Sequence, residues 1–476
     1  MAGSGGGDGP KLIHRSVLPR GALARPGETG QGARPLSSAS PPAVTADPLP
    51  QLSASQADLV EYIAGSGANV FLTGKAGSGK TTVTRALIAR MGRDAAVLAP
   101  TGVAAMNAGG MTLHAFFRLP PRLVTPDDVR RVRGGKAMKA LKTLIIDEIS
   151  MVRADVMAAI DRSLRINRGV DAPFGGVQMV LAGDLAQLPP IVRGEEAAWL
   201  EESFGGPFFF HPPVFRDAGF TMIELEEIHR QADPEFVEIL NAVREGRITR
   251  EQGALLNTRV TGRNGLEASE THVVLTATND VANRINAARL DALVGEPRAF
   301  AGKVEGSFEE KVFPTDDPLV LKAGARVMMI RNDPGGRWVN GSLGEVVGFT
   351  GDGVEVAVGG EVHTVEPAKW ERFRYGFDAK AETLKKETVG AFTQYPLRLA
   401  WAMTIHKAQG LTLDRVYLDV SRRLFAHGQA YVALSRARSL EGLEISRPLT
   451  PRDVIIDERV FDVRSFCDHA PPALLG

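Results

Sequence analysis

The chain has 476 residues, 44% of them hydrophobic, enough to bury two or three separate cores. Lys plus Arg and Asp plus Glu balance at 56 each, so no global charge announces a polyanion partner, and nucleic-acid affinity would have to come from a local groove. The single cysteine, Cys467, excludes an internal disulfide and an all-cysteine zinc site, and no apolar run is long enough to span a bilayer or to serve as a secretory signal, which reads as a soluble intracellular protein.

Residues 1–50 are rich in Gly, Pro, Ala and Ser and read as a disordered tail. Arg15, Arg20, Arg25 and Arg34 would also suit an organellar transit peptide, although no amphipathic helix accompanies them. A first core is expected over 51–219. It opens on a helix with Leu59, Tyr62 and Ile63 on one face and Ser53 or Ser55 as N-cap. Gln56, in its first turn, carries an amide that can pair with a donor and an acceptor on an adenine edge; a plain surface glutamine is the alternative.

The apolar run Asn69-Val70-Phe71-Leu72 leads into Gly74-Lys75-Ala76-Gly77-Ser78-Gly79-Lys80-Thr81, and helix-compatible residues from Thr82 follow. Strand, glycine-rich turn and helix start in that order form a phosphate loop. Gly74, Gly77 and Gly79 let backbone N–H groups crowd round the phosphates of ATP, Lys80 reaches the β and γ phosphates, Thr81 offers a hydroxyl to Mg2+, and Thr82 continues the cradle.

The strand Ala95–Ala99 ends at Thr101, which could hold a nucleic-acid phosphate or belong to an ordinary strand-to-helix loop. Next come His114, Phe116 and Phe117, aromatics that could stack on bases or sit in the core. From about 118 to 141 the chain is basic, with Arg122, Arg130, Arg131, Arg133, Lys136 and Lys139 against Asp127 and Asp128, and reads equally as a nucleic-acid flank or a solvated face. The strand Thr143–Ile146 delivers Asp147 and Glu148, one carboxylate for magnesium and one to orient or deprotonate water, which signals hydrolysis. Gln187, in the turn after the strand Gln178–Leu181, is placed to sense a γ-phosphate.

A second core is expected over 220–450, starting with the strand Phe220–Leu225 and carrying Arg230, a helix capped by Asp233, and Asn279 after Val273–Leu275. Short strands with turns between about 318 and 393 suggest a small antiparallel barrel inserted there. The pattern resumes with Thr404 and His406 and ends on a mostly apolar helix with Arg436 at its close. That arginine could be a helix-end charge or, with a nucleotide site in the other core, a finger across the cleft. Residues 451–476 remain as a C-terminal extension.

Taken together these blocks resemble the PIF-type (petite integration frequency) helicases of superfamily 1, relatives of the RecD-like 5′-to-3′ motors. The resemblance covers roughly 50–450 and is carried by LSxxQ, GKAGSGKTT, APTGVAA with GGMTLHAFF, IIDEISMVRADVMAAIDRSLR, PFGGVQMVLAGDLAQLPP, HRQ, VNGSLGEV, TIHKAQG and YVALSRAR. It implies an α/β fold of two RecA-like phosphate-loop, parallel-sheet domains, with a small wedge after the second motif and an SH3-like barrel in the second core. It also implies that Gln56 contacts adenine, that Lys80, Thr81, Asp147 and Glu148 form the hydrolytic centre, and that Gln187, Arg230 and Arg436 line the γ-phosphate. Thr101, His114, Phe116, Asn279, Asn340, Thr404 and His406 would follow single-stranded DNA.

The activity so implied is an ATP- and Mg2+-dependent 5′-to-3′ DNA helicase, unwinding duplex or G-quadruplex DNA in repair, recombination, replication or telomere-type maintenance. Its expected partners are single-stranded DNA, DNA junctions and single-strand-binding proteins, with no membrane and a monomer in solution. A bacterial cytoplasm, near the nucleoid, is the expected location, with nucleus or mitochondrion as alternatives. An ATP-switched remodeller that does not separate strands and an RNA helicase are the competing readings.

Overall fold

A computed structural model describes residues 52–470 apart from 133–134, 227–232 and 352. The tail expected over 1–50, Arg133 and Arg230 lie outside the described residues.

Six parallel strands build the first sheet: β1 (Asn69–Gly74), β2 (Ala95–Ala99), β3 (Met111–Thr112), β4 (Thr143–Ile146), β5 (Gln178–Ala182) and β6 (Phe220–Leu225). Their order is β6-β1-β5-β4-β2-β3, and Cys467–His469 adds a seventh strand outside β6. The central strands β2, β4 and β5 are near-continuous apolar runs because both faces are covered. Val70, Leu72, Val97, Ile145 and Val180 pack under the helices α1 (Ala54–Ser66) and α2 (Lys80–Met91). Phe71, Leu98, Leu144, Ile146 and Leu181 point the other way, into the cluster that holds Met157, Ile160 and Leu164 of the helix Ala154–Arg168.

The expected start of the second core at Phe220 is corrected. β6 pairs with β1 along its whole length, from Asn69↔Phe220 to Gly74↔Leu225, so it belongs to the first sheet. An apolar strand does not declare its neighbour, and β6 follows a long excursion that mimics a domain boundary. Packing of the second core begins instead with the helix Pro234–Arg244, whose Phe236, Ile239, Leu240 and Val243 join a separate cluster. That core has a four-stranded parallel sheet in the order Ala402–Thr404, Val273–Thr276, Val416–Asp419, Leu443–Ile445. The α/β class with parallel cores therefore holds.

In place of the single barrel expected over 318–393, strands of three sheets occupy this region: Leu319–Leu321 pairs with Arg298–Phe300, and two larger sheets follow. One is antiparallel, with Glu361–Val365, Val354–Val358, Leu343–Phe349, Arg326–Met329 and Leu397–Leu399 in that order. The other is a long hairpin, Ala368–Asp378 with Thr383–Gln394, joined by Lys303–Gly306. The hairpin leans on the first core: the Tyr375 hydroxyl accepts from the Val97 N–H at 3.0 Å and Leu384 is buried in the first core's cluster. Alternating apolar and charged residues read as strands, but only the long reach of this pair takes it to the other core.

The basic stretch 118–141 is anchored rather than loose. Val124, Val129, Met138 and Leu141 are buried in the first core, while Arg122 pairs with Asp128 at 2.6 Å.

Candidate functional site

The phosphate loop leaves β1 at its carboxyl end. Gly74 has φ 148°, and a Cβ there would lie 2.6 Å from Ser78 Oγ and 2.7 Å from the Leu225 carbonyl, so only glycine fits. A Cβ on Gly79, at φ 87°, would lie 2.6 Å from Gln56 Nε2. Gln56 is buried here as half of a capping box with Ser53, its Oε1 accepting from the Ser53 N–H at 3.2 Å. Its amide nitrogen thus faces the loop. Lys80 Nζ donates to the Gly74 and Lys75 carbonyls at 2.7 and 2.9 Å, folding back over the cradle. Thr81 is exposed at the start of α2 and Thr82 is half-buried. The Ser78 hydroxyl is buried in the loop with no hydrogen-bond partner.

Beside the loop, β4 ends in the two carboxylates. Asp147 accepts the Glu148 N–H at 3.0 Å, and Glu148 adopts left-handed φ 53°, a conformation that costs energy in a non-glycine residue and concentrates at functional sites. Burial raises the pKa of both. For Glu148 burial comes first and the Asp147 charge second, pushing it up to about 7, while Lys80 and Arg436 pull the other way. Two half-buried carboxylates that repel each other beside a lysine suit a phosphate-bound cation.

Residues of the second core reach this point. Gln409 Nε2 donates to Glu148 Oε2 at 3.0 Å and to Gln187 Oε1 at 3.2 Å, and so ties these two side chains of the first core together. Gln187 is itself buried, with its Nε2 on Asp184 Oδ2 at 3.2 Å. Tyr431, in the helix Gln429–Leu434, accepts the Ala76 N–H of the phosphate loop at 2.9 Å. His427 Nε2 meets the Leu185 carbonyl at 2.7 Å.

Arg436, expected as a helix-end charge or a finger across the cleft, is buried within the second core. Only 1% exposed, it donates to the carbonyls of Val432 (Nε, 2.9 Å) and Leu411 (Nη1, 3.1 Å) and to Ser435 Oγ (Nη2, 2.7 Å). A desolvated guanidinium needs acceptors, and its own core supplies them. Its charge still lowers the pKa of Glu148, which puts it near the centre.

The expected DNA-path residues separate by exposure. Asn279, Asn340 and His406 are exposed, and Thr101 and His114 are half-buried. Thr101 caps the helix Gly102–Asn107 through the Ala104 N–H, and burial lowers the pKa of His114. Thr404 is buried, with its hydroxyl on the Lys407 N–H, at the end of a strand in register with Thr276. Phe116 is corrected from a base-stacking residue to a core one. It is 8% exposed and packs edge-on against Phe117 and Tyr375, because the hairpin covers the face it would have offered.

Gln409, Tyr431 and Asp184 stood inside the motifs with no role attached, and their contacts come from pairing across the cleft. Arg244 was also missed. Its signal is an arginine four residues after Leu240, on the apolar face of its helix.

With this geometry described, comparisons add three findings. The family model for PIF1-like helicases matches residues 51–254. Among curated relatives, the human ATP-dependent DNA helicase PIF1 is 34% identical across 94% of this chain and 68% of its own length, and that of Bdellovibrio bacteriovorus is 32% identical across 86% and 91%. Of the rat and mouse counterparts the chain spans 63% and 62%. Among solved structures, unliganded Pif1 from Bacteroides sp. superposes with a TM-score of 0.81 at 38% identity, covering 87% of this chain and 96% of that one; the same protein bound to single-stranded DNA gives 0.62.

Proposed function

The chain belongs to the PIF1-like helicase family and is an ATP-dependent DNA helicase, and from that premise we propose that it moves 5′ to 3′ along single-stranded DNA and separates duplex or G-quadruplex DNA in genome maintenance. The observation that carries the mechanism is Gln409: one amide of the second core holds both Glu148 and Gln187 of the first. Opening or closing the cleft therefore moves the hydrolytic carboxylate.

In this reading Gln56 selects adenine and Lys80 turns from the Gly74 and Lys75 carbonyls to the β and γ phosphates. Glu148 takes the proton of the attacking water, a role suited to a raised pKa. Gln187 and Arg436, with Arg230, respond to the γ-phosphate. Thr81 and Asp147 are the residues that fit Mg2+, a cation held by few protein ligands together with substrate phosphates. When bound it would neutralise charge on the transferring phosphoryl group. In the same reading single-stranded DNA runs along the carboxyl edges of the two sheets, past Thr101 and His114 of one core, Asn279 and His406 of the other and Asn340 in the turn before Leu343–Phe349, with Thr404 buried beneath it. A solved Bacteroides relative carries single-stranded DNA, which supports single-stranded DNA as the ligand.

The same reading has the protein act as a monomer on junctions with single-strand-binding proteins, near a bacterial nucleoid. Forked substrates with a 5′ or a 3′ tail, in DNA and RNA versions, test it. Unwinding only from the 5′ DNA tail is expected. Unwinding from a 3′ tail, from RNA, or ATP turnover with no strand separation would overturn direction, substrate or helicase action respectively.

A further inference from the structure

Arg244 ends the helix Pro234–Arg244 of the second core, yet its guanidinium lies among first-core carboxylates. Nη2 and Nε reach Asp184 Oδ1 at 3.2 and 3.4 Å, and Nη1 reaches Glu224 Oε1 at 3.5 Å. Asp184 follows β5 and Glu224 sits in β6, on the two sides of β1, the strand that feeds the phosphate loop. The arginine therefore spans the base of that loop. Arg244 is 8% exposed and Asp184 1%. Burial is the largest single influence on each and opposes its charge; Arg244, Lys80 and the Gln187 and Ala186 hydrogen bonds together outweigh it for Asp184, and Asp184, Tyr431 and Glu224 together do so for Arg244, which keeps Arg244 protonated and Asp184 ionised.

Asp184 has a second duty. Its Oδ2 accepts from Gln187 Nε2 at 3.2 Å while Oδ1, which takes Arg244, also takes the Ala186 N–H at 3.1 Å. One carboxylate thus fixes the turn Asp184–Gln187 and the side chain at its end, and one arginine from the opposite core fixes the carboxylate.

We propose that Arg244 is a positioning residue for ATP hydrolysis, acting on Gln187 through Asp184 so that the sensor is correctly placed only when the second core is seated. This rests on the reading of Gln187 as the γ-phosphate sensor.

The test uses the full chain with saturating single-stranded DNA and compares kcat and KM for ATP in Arg244→Lys, Arg244→Met, Gln187→Ala and the Arg244→Met/Gln187→Ala double variant, per folded molecule as judged by circular dichroism. Small misplacement of a reacting group costs up to about 100-fold, so Arg244→Met is expected to lower kcat by about 10- to 100-fold. KM for ATP should stay within about threefold, as for an interaction felt in the transition state. Arg244→Lys should restore part of kcat, and in the Gln187→Ala background Arg244→Met should change kcat no further.

A loss of the same factor in both backgrounds, or a lowered melting temperature with kcat intact, would overturn the proposal and leave the sensor in place. Wild-type turnover in Gln187→Ala would remove the sensor reading and the proposal with it. If Arg244→Met does not fold, Arg244→Lys alone decides: kcat must drop in the wild-type background and not in Gln187→Ala.

Discussion

The Ala76 N–H donates to the Tyr431 hydroxyl at 2.9 Å, so the phosphate loop is bonded to a helix of the opposite core. Tyr431→Phe keeps the ring and removes the acceptor, leaving a buried N–H unpaired. Such a loss costs about 1–3 kcal/mol. Urea unfolding should show a lower midpoint at unchanged slope; an unchanged midpoint would mean the N–H finds another acceptor.

Glu148→Gln should bind ATP and DNA and fail to turn over, since the amide cannot take a proton. Gln409→Ala leaves the carboxylate in place and removes its tether, so kcat should fall by about 10-fold, the scale of a displaced catalytic group. Stopped-flow phosphate release measures both. Wild-type release by Gln409→Ala would reduce its two bonds to bystanders.

Arg436→Ala strips donors from the carbonyls of Leu411 and Val432 in a fully buried site. Loss of at least about 3 kcal/mol is expected from uncompensated buried acceptors, together with loss of turnover. Thermal unfolding separates the two effects. An alanine variant as stable as the wild type but inactive would make this arginine purely a phosphate contact.

His427 is held neutral: Nε2 serves the Leu185 carbonyl, and Nδ1 accepts the Asp457 N–H at 2.9 Å. Burial lowers its pKa, against the opposing pull of the Leu185 carbonyl and the Asp457 and Asp184 carboxylates. The unfolded chain then binds more protons than the folded one, so this contribution is present above about pH 6.5 and is lost as pH falls below it. The midpoint of the wild type should drop faster below that pH than that of His427→Gln. Parallel profiles would show that the imidazole titrates freely.

The phosphate loop, the Asp147-Glu148 pair and the α/β class were legible because each is local: a strand, a turn and a helix start lie within a few residues, and buried parallel strands read as unbroken apolar runs. The relation between the cores was not. β6 has the same apolar pattern whichever sheet it enters, and Phe116 is aromatic whether a base or Tyr375 lies on it. Gln409 and Arg244 draw their meaning from partners far away in the chain, and only packing brings those together.

The strand Cys467–His469 completes the sheet that β1 begins. During synthesis the outer edge of β6 therefore waits, unpaired, until nearly the entire second core has left the ribosome. Open strand edges recruit foreign strands, so the nascent first core is an aggregation hazard for that interval, and a holding chaperone is the natural remedy. A bulky fusion attached directly behind His469 would press on that same seam, far in sequence from the nucleotide but only two strands from the phosphate loop.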